Sequence, residues 1–170
     1  MNVGQPIRSL CEELATTYNV VVLEGCDGVG KTTVADHLAA HHGFQVVHSS
    51  RSPDNVDLVQ RHRAIITTPG RLALDRSYIS ELVYGPVLHS GSRLAWSGAL
   101  ELTALAAQQG GVLVHLTAEP RCIHDRLRTR QDGDAWELSL IERIQQQYDL
   151  VFAQLDPYIS VRRHRTDSTA

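Results

Sequence analysis

The stretch VVLEGCDGVGKTTVADHLAA, residues 21–40, constrains this chain more than any other. Residues 20–23 form an unbroken apolar run, mostly β-branched, too short for a helix and closed by Gly25; such a run reads as a strand buried on both faces of a parallel sheet. Residues 31–42 repeat apolar side chains at helical spacing, Val34 with Leu38 and Ala35 with Ala39, and stop at Gly43, a residue suited to capping a helix C-terminus. Between strand and helix, Gly25, Gly30, Lys31 and Thr32 satisfy the pattern G-x-x-x-x-G-K-[ST]. Glycines there let the backbone curl until its N–H groups face phosphate oxygens, and the start of the helix adds the positive end of its dipole. The segment implies a bound nucleoside triphosphate, ATP, held by Gly25, Asp27, Gly28, Gly30, Lys31, Thr32 and Thr33. Lys31 would reach the β and γ phosphates, and Thr32 would give its hydroxyl to Mg²⁺.

The alternation of strand and helix continues. Residues 44–50 read as a strand, 55–66 as a helix, 71–75 as a strand, about 93–109 as an Ala/Leu-rich helix and 111–120 as a strand. Two more helices follow at 121–130 and 138–155, the second spacing Ile141, Ile144, Tyr148, Val151 and Leu155 by threes and fours. Pro157 ends it before a last short strand at 158–161. Without an internal repeat, low-complexity tract or long linker, the pattern predicts one α/β domain over residues 1–170. It is a three-layer sandwich on a parallel sheet of about five strands, with its ligand site beyond the strand C-termini.

Composition narrows the function. A chain of 170 residues has room for one domain, and no apolar run approaches the roughly 20 residues that span a bilayer. The first residues lack the pattern of a secretory signal, and three cysteines without a C-x-x-C pair suggest neither disulfides nor zinc, so a cytoplasmic protein with no membrane role is expected. A formal charge of −3 gives no global attraction for nucleic acid. Lys31 is the only lysine, which excludes the N-K-x-D guanine-reading motif of a switch GTPase, and the chain is short for a motor ATPase. A small kinase is the class that remains.

Three segments carry a family resemblance. LEGCDGVGKTT resembles the phosphate loop of thymidylate kinases, including an acid at Asp27; SSRSPDN stands where that family has a Thr-Arg-Glu-Pro-Gly loop, with Arg51 and Pro53 matching and Ser52 in place of Glu; LDRSYISELVYG is similar to its D-R-Y-x-x-S-S-x-A-Y-Q segment at Asp75, Arg76, Ser80 and Tyr84. RCIHDRLRTR looks like the family's lid, placed here at about 121–136. The resemblance implies the P-loop NTPase fold, transfer of the ATP γ-phosphoryl to a deoxynucleoside monophosphate, and a homodimer as a possibility. It assigns Asp27, Arg51, Arg76 and Tyr84 to the acceptor. Lys31, Asp75, Arg126 and Arg130 become the catalytic set, with the two lid arginines closing over the transferring group, and Thr32 and Asp75 order Mg²⁺. Between Pro53 and Asp75, where the family stacks an aromatic residue on the acceptor base, there is no Phe, Tyr or Trp.

That gap and two basic clusters, 61–63 and 162–165, keep a second acceptor class open: a hydroxyl, either the 5′-hydroxyl of a deoxynucleoside or a hydroxymethylated base in phage DNA, making DNA a possible partner beside a small nucleotide. Ser52 in place of a carboxylate motivates a third reading, a non-catalytic nucleotide-binding regulator. His37 and His41 have the spacing of a zinc pair but no evident third ligand, and read as a solvated helix face; Trp96 and Trp136 read as packing.

Overall fold

The computed structural model describes residues 5–49, 53–129 and 136–167. Five strands, β1 (Val20–Glu24), β2 (Gln45–His48), β3 (Leu72–Asp75), β4 (Gly111–Thr117) and β5 (Val161–Arg165), form one sheet in the order β2-β3-β1-β4-β5. Every pairing is parallel, as the apolar runs require: β1 and β3 are buried at each position, and β4 at all but its last. Among the described residues seven helices flank the sheet: α1 (Gln5–Thr17), α2 (Lys31–His42), α3 (Leu58–Ile66), α4 (Tyr78–Leu88), α5 (Trp96–Gln108), α6 (Pro120–Arg128) and α7 (Leu138–Leu155). Helix α2 packs on β1, β2 and β3 with α1 against it, while α5 and α7 lie on β4 and α4 packs on α7. This is the expected three-layer sandwich. The chain leaves β1 toward β2 and leaves β3 toward β4, so the phosphate loop and the start of α4 part company at adjacent strand ends and open a crevice there.

Local chemistry explains where the elements differ from the sequence expectation. Helix α3 starts at Leu58 rather than 55 because Asp57 caps it, its carboxylate accepting from the Gln60 N–H at 3.0 Å. The β4 strand stops at Thr117, and Pro120 opens α6, the one helical position that loses nothing by lacking an N–H. Helices α1 and α4 were not foreseen. Helix α1 buries only Leu10, Cys11 and Leu14 among polar residues, and α4 carries Gly85 and Pro86 near its end, which read as helix breakers. A Cβ on Gly85 would lie 2.7 Å from the Gly91 carbonyl, so this glycine is where the chain after α4 folds back against the helix.

The last strand is shifted from 158–161 to Val161–Arg165, onto the basic cluster itself. Its arginines meet acids: Arg162 with Glu13 at 2.6 Å, Arg163 with Asp156 at 3.8 Å, and Arg165 with Glu119 and Asp167. Charged side chains on an outermost strand discourage edge-to-edge pairing between molecules, which accounts for the cluster better than contact with nucleic acid. In the other cluster, Arg63 pairs with Glu101.

Candidate active site

The phosphate loop is built around backbone that other residues cannot adopt. Gly25 has φ +144°, and a Cβ there would lie 2.2 Å from the Leu116 carbonyl oxygen; Gly30, at φ +102°, turns the chain into α2. Lys31 folds back over this loop, donating to the carbonyls of Gly25 at 2.8 Å and Cys26 at 3.1 Å, and its Nζ lies 3.4 Å from Asp27 Oδ1. Burial lowers its pKa, and the Asp27 charge opposes that shift.

At the adjacent strand ends three polar side chains meet. The Thr32 hydroxyl donates to Asp75 Oδ2 at 2.7 Å, and His48 Nδ1 lies 3.0 Å from the same oxygen, His48 and Asp75 being partners in register at the ends of β2 and β3. Among the described residues no group of three or more His, Cys, Asp or Glu side chains is placed to hold a metal. A hydroxyl and a carboxylate side by side at a phosphate loop fit Mg²⁺ all the same, since that ion takes one or two protein oxygens and completes its shell with phosphate and water.

One strand away sits Glu24, fully buried at the end of β1. One carboxylate oxygen accepts from the Ser77 N–H at 2.6 Å and the Ser77 hydroxyl at 2.9 Å, the other from Ser80 at 2.8 Å and Tyr148 at 2.9 Å. Burial raises its pKa, and these donors, with the Lys31 charge, pull the other way. Glu24 thereby fixes the first turn of α4 against the phosphate loop. Arg76, immediately before that turn, has φ +70°, the single described non-glycine residue in the left-handed region, and its guanidinium pairs with Asp27 and lies 5.5 Å from the centre of the Tyr84 ring.

These elements enclose a cavity of about 220 Å³ between the phosphate loop, α3 and α4, lined among others by Asp27, His62, Arg76, Ser80, Tyr84 and Trp136. The aromatic residues missing from the segment between Pro53 and Asp75 arrive from elsewhere: Tyr84 and Trp136 approach with ring centres 6.1 Å apart. Two of the lining residues carry a buried polar atom with no hydrogen-bond partner among the described residues, His62 Nδ1 and the Tyr84 hydroxyl. Burial pushes the His62 pKa down to about 4, with the Arg61 charge helping and that of Glu81 opposing, so its ring is neutral near pH 7.

The structure thus brings Gly25, Asp27, Gly28, Gly30, Lys31, Thr32 and Thr33 together on one loop and α2, sets Asp75 beside Thr32, and gathers Asp27, Arg76 and Tyr84 at the cavity. Arg126 is placed differently. Its guanidinium donates to the Thr166 hydroxyl at 3.0 Å and carbonyl at 3.1 Å and reaches the Gly28 carbonyl at 3.4 Å. It lines a second recess with Gly28, Gly30, Thr33 and Thr166, which shares no residue with the first cavity. Arg51 and Arg130, and most of the lid between Arg126 and Trp136, lie outside the described residues. His37 is 8% exposed rather than solvated, with its ring centre 4.3 Å from that of His41.

Glu24 and His62 escaped the sequence reading. The first stands in the sequence as a lone acid ending an apolar strand; the second lies between two arginines in a short basic cluster that reads as solvated.

No protein-family model matches this chain, and no curated protein does. Solved structures do. The YorR protein from Bacillus subtilis, in complex with phosphorylated GDP, superposes with a TM-score of 0.77 at 22% identity, over 89% of this chain and 88% of that one. Deoxyadenosine kinase from M. mycoides, with the products dCMP and dCDP, gives 0.60 at 10% identity over 88% and 91%. Shikimate kinase from Acinetobacter baumannii, in complex with shikimate, gives 0.52 at 17% identity over 94% and 89%. The chain has the P-loop kinase fold. At these identities the likeness speaks for the fold alone.

Proposed function

We propose that this protein is an ATP- and Mg²⁺-dependent phosphotransferase with a deoxynucleoside-type acceptor. The observation that carries the reading is the position of Asp27, which belongs to the phosphate loop, touches Lys31, and at the same time lines the cavity. A protein that only bound a nucleotide would need no second cavity opening onto its phosphate loop, which argues against the regulator. In this reading ATP lies along the loop with its phosphates under Lys31 and its nucleoside toward the recess of Thr33, Arg126 and Thr166. Arg126 then serves the donor side.

Mg²⁺, held by Thr32 and Asp75, would draw charge from the β and γ phosphates. The acceptor sits in the cavity with its oxygen toward Asp27. That oxygen bonds to the γ phosphorus, the bond from phosphorus to the β–γ bridging oxygen breaks to leave ADP, and the acceptor proton passes to the Asp27 carboxylate. Lys31 follows the charge that builds on the phosphoryl oxygens, and the neighbouring buried strand ends keep the site drier than the surface, which strengthens each of these interactions.

Charge favours a neutral hydroxyl as acceptor. Among the described residues lining the cavity, Arg76 is the one guanidinium, and it is paired with Asp27, while the Glu81 carboxylate is itself held by Arg93 at 2.8 Å. A deoxynucleoside monophosphate is the second reading, supported by the reach of Arg76 into the cavity, and it would draw on Arg51 and Arg130. Incubation with γ-labelled ATP, Mg²⁺, deoxynucleosides, their monophosphates, and DNA with and without 5-hydroxymethyluracil separates these. Label in a nucleoside monophosphate or in DNA supports the hydroxyl acceptor, and label in a diphosphate product moves the assignment to the second reading. Hydrolysis or binding of ATP with no labelled acceptor overturns both.

A further inference from the structure

Asp75 is 7% exposed at the end of β3, and a carboxylate so buried is oriented by the donors around it. Among the described residues two side chains donate to it, and both fall on the same oxygen: the Thr32 hydroxyl at 2.7 Å and His48 Nδ1 at 3.0 Å from Oδ2, with none on Oδ1. A carboxylate only accepts, so Nδ1 carries the proton of this contact. The sheet sets the place of the imidazole. His48 and Asp75 are partners in register on neighbouring strands, and the Ser49 N–H donates to the Asp75 carbonyl at 3.0 Å just beyond. The His48 side chain is 58% exposed and lines neither the acceptor cavity nor the recess beside Arg126, so neither packing nor a ligand pocket accounts for it.

We propose that His48 is a positioning residue for the metal site: its Nδ1–H fastens Asp75 Oδ2 and leaves Oδ1 free for Mg²⁺ or for a water that the ion carries. This rests on the reading of Thr32 and Asp75 as the Mg²⁺ site and goes beyond it by naming the side chain that orients the carboxylate. Mg²⁺ is demanding in this respect. It tolerates little departure from octahedral geometry and takes only one or two protein carboxylates, so a carboxylate free to turn holds it poorly. The Thr32 hydroxyl can keep its proton on Asp75 while a lone pair serves the ion, yet one hydrogen bond leaves the carboxylate able to pivot about it. The second donor, held on the neighbouring strand, removes that freedom. Removing a group that hydrogen-bonds to a metal-ligating side chain typically costs about 10- to 100-fold in metal affinity or activity. His48 belongs at the lower end of that range, since water can take part of the place of an exposed donor.

The test measures binding, so that it does not depend on turnover. Calorimetry gives the affinity of a non-hydrolysable ATP analogue with metal chelated away and again with Mg²⁺ in excess, and the ratio of the two is the metal's contribution. Wild type, His48→Ala and His48→Asn would be compared; the exposure of the side chain lets both variants fold, and Asn returns an N–H donor near the place of Nδ1. The expected result is a ratio about tenfold smaller in His48→Ala and within about threefold of wild type in His48→Asn, with the metal-free affinity unchanged in both. Damage to the strand end would read differently, as lost deoxynucleoside affinity or a lower Tm, because Ser49, the next residue, lines the acceptor cavity. An unchanged ratio in His48→Ala, a ratio as small in His48→Asn as in His48→Ala, or a metal-free affinity that falls along with it overturns the proposal while the Mg²⁺ reading stands. No response to Mg²⁺ in wild type overturns both. A ratio that depends on His48 as expected, in a protein that transfers phosphoryl to no acceptor, leaves this inference standing and sinks the phosphotransferase reading.

Discussion

The phosphate loop and the cavity beside it are neighbours that share Asp27, yet they are specified in opposite ways. The loop is local: Gly25, Gly30, Lys31 and Thr32 fall within eight residues, and what the loop does follows from backbone geometry that tolerates no alternative at Gly25. The cavity is assembled from the phosphate loop, α3, α4 and Trp136, residues more than a hundred positions apart, and one buried carboxylate, Glu24, ties the start of α4 to α7 behind it. A motif can be read where chemistry demands contiguous backbone. Side-chain recognition leaves no such trace, because any element that reaches the space can supply the group.

The sharpest way to separate the two regions is to disable one of them. Lys31→Ala should reduce phosphoryl transfer by about 100- to 1,000-fold, because it removes a preorganised charge from the transition state, while binding of the acceptor base stays near wild type. Steady-state kinetics beside calorimetry would check it; a variant with near-normal turnover would break the comparison at its stronger end.

Acid should strike the fold through two buried histidines. His62 in the cavity and His115, stacked on Phe152 with ring centres 4.5 Å apart, both have pKa values lowered to about 4, chiefly by burial. A folded pKa below the unfolded value near 6.5 means that their stabilisation is complete above that pH and is lost as pH falls from 6.5 toward 4, where the unfolded chain takes up protons the folded one refuses. Each should account for about 2 kcal/mol between pH 7 and pH 5. Urea unfolding at the two pH values should show the combined loss, and His62→Phe should remove only the cavity's share. If the slope is the same in that variant, His62 is not held neutral in the fold.

Glu24→Gln should cost about 2 kcal/mol, since it turns two acceptor positions into donors facing the hydroxyls of Ser80 and Tyr148, or the N–H and hydroxyl of Ser77. Because Glu24 fixes α4, acceptor affinity should fall more than ATP affinity; equal losses would mean that the carboxylate supports the loop instead. Arg76→Ala is expected to have the smallest effect, about tenfold in acceptor KM with kcat less affected, read from initial rates.

The sequence made the sheet legible because its central strands are buried on both faces, so β1, β3 and β4 stand out as apolar runs. It made the edge strand β5 hard to place for the converse reason: VRRHR carries charge because it lies at the edge, and the same residues read as a solvated basic cluster with polyanion contact as the alternative. Helix α4 is obscured by Gly85 and Pro86; Pro86 has no N–H for the Leu82 carbonyl, which accepts instead from the Gln147 side chain at 3.2 Å. In the site, Asp75 and Thr32 could be paired from the chemistry a phosphate loop requires, and they do meet. Arg126 could be placed near the loop but not on a side of it, since that depends on Thr166, forty residues away and beyond the last strand.

The central claim is that donor and acceptor meet at Asp27. Asp27→Asn tests it most directly, with ATP affinity and single-turnover transfer of labelled γ-phosphoryl measured on the same preparation. The account predicts ATP affinity within about threefold of wild type and transfer reduced by about 100-fold or more, because the phosphates are held by the loop while the acceptor loses the carboxylate that takes its proton. Transfer at the wild-type rate, or a loss of ATP binding as large as the loss of transfer, would contradict it and return Asp27 to the phosphate loop alone.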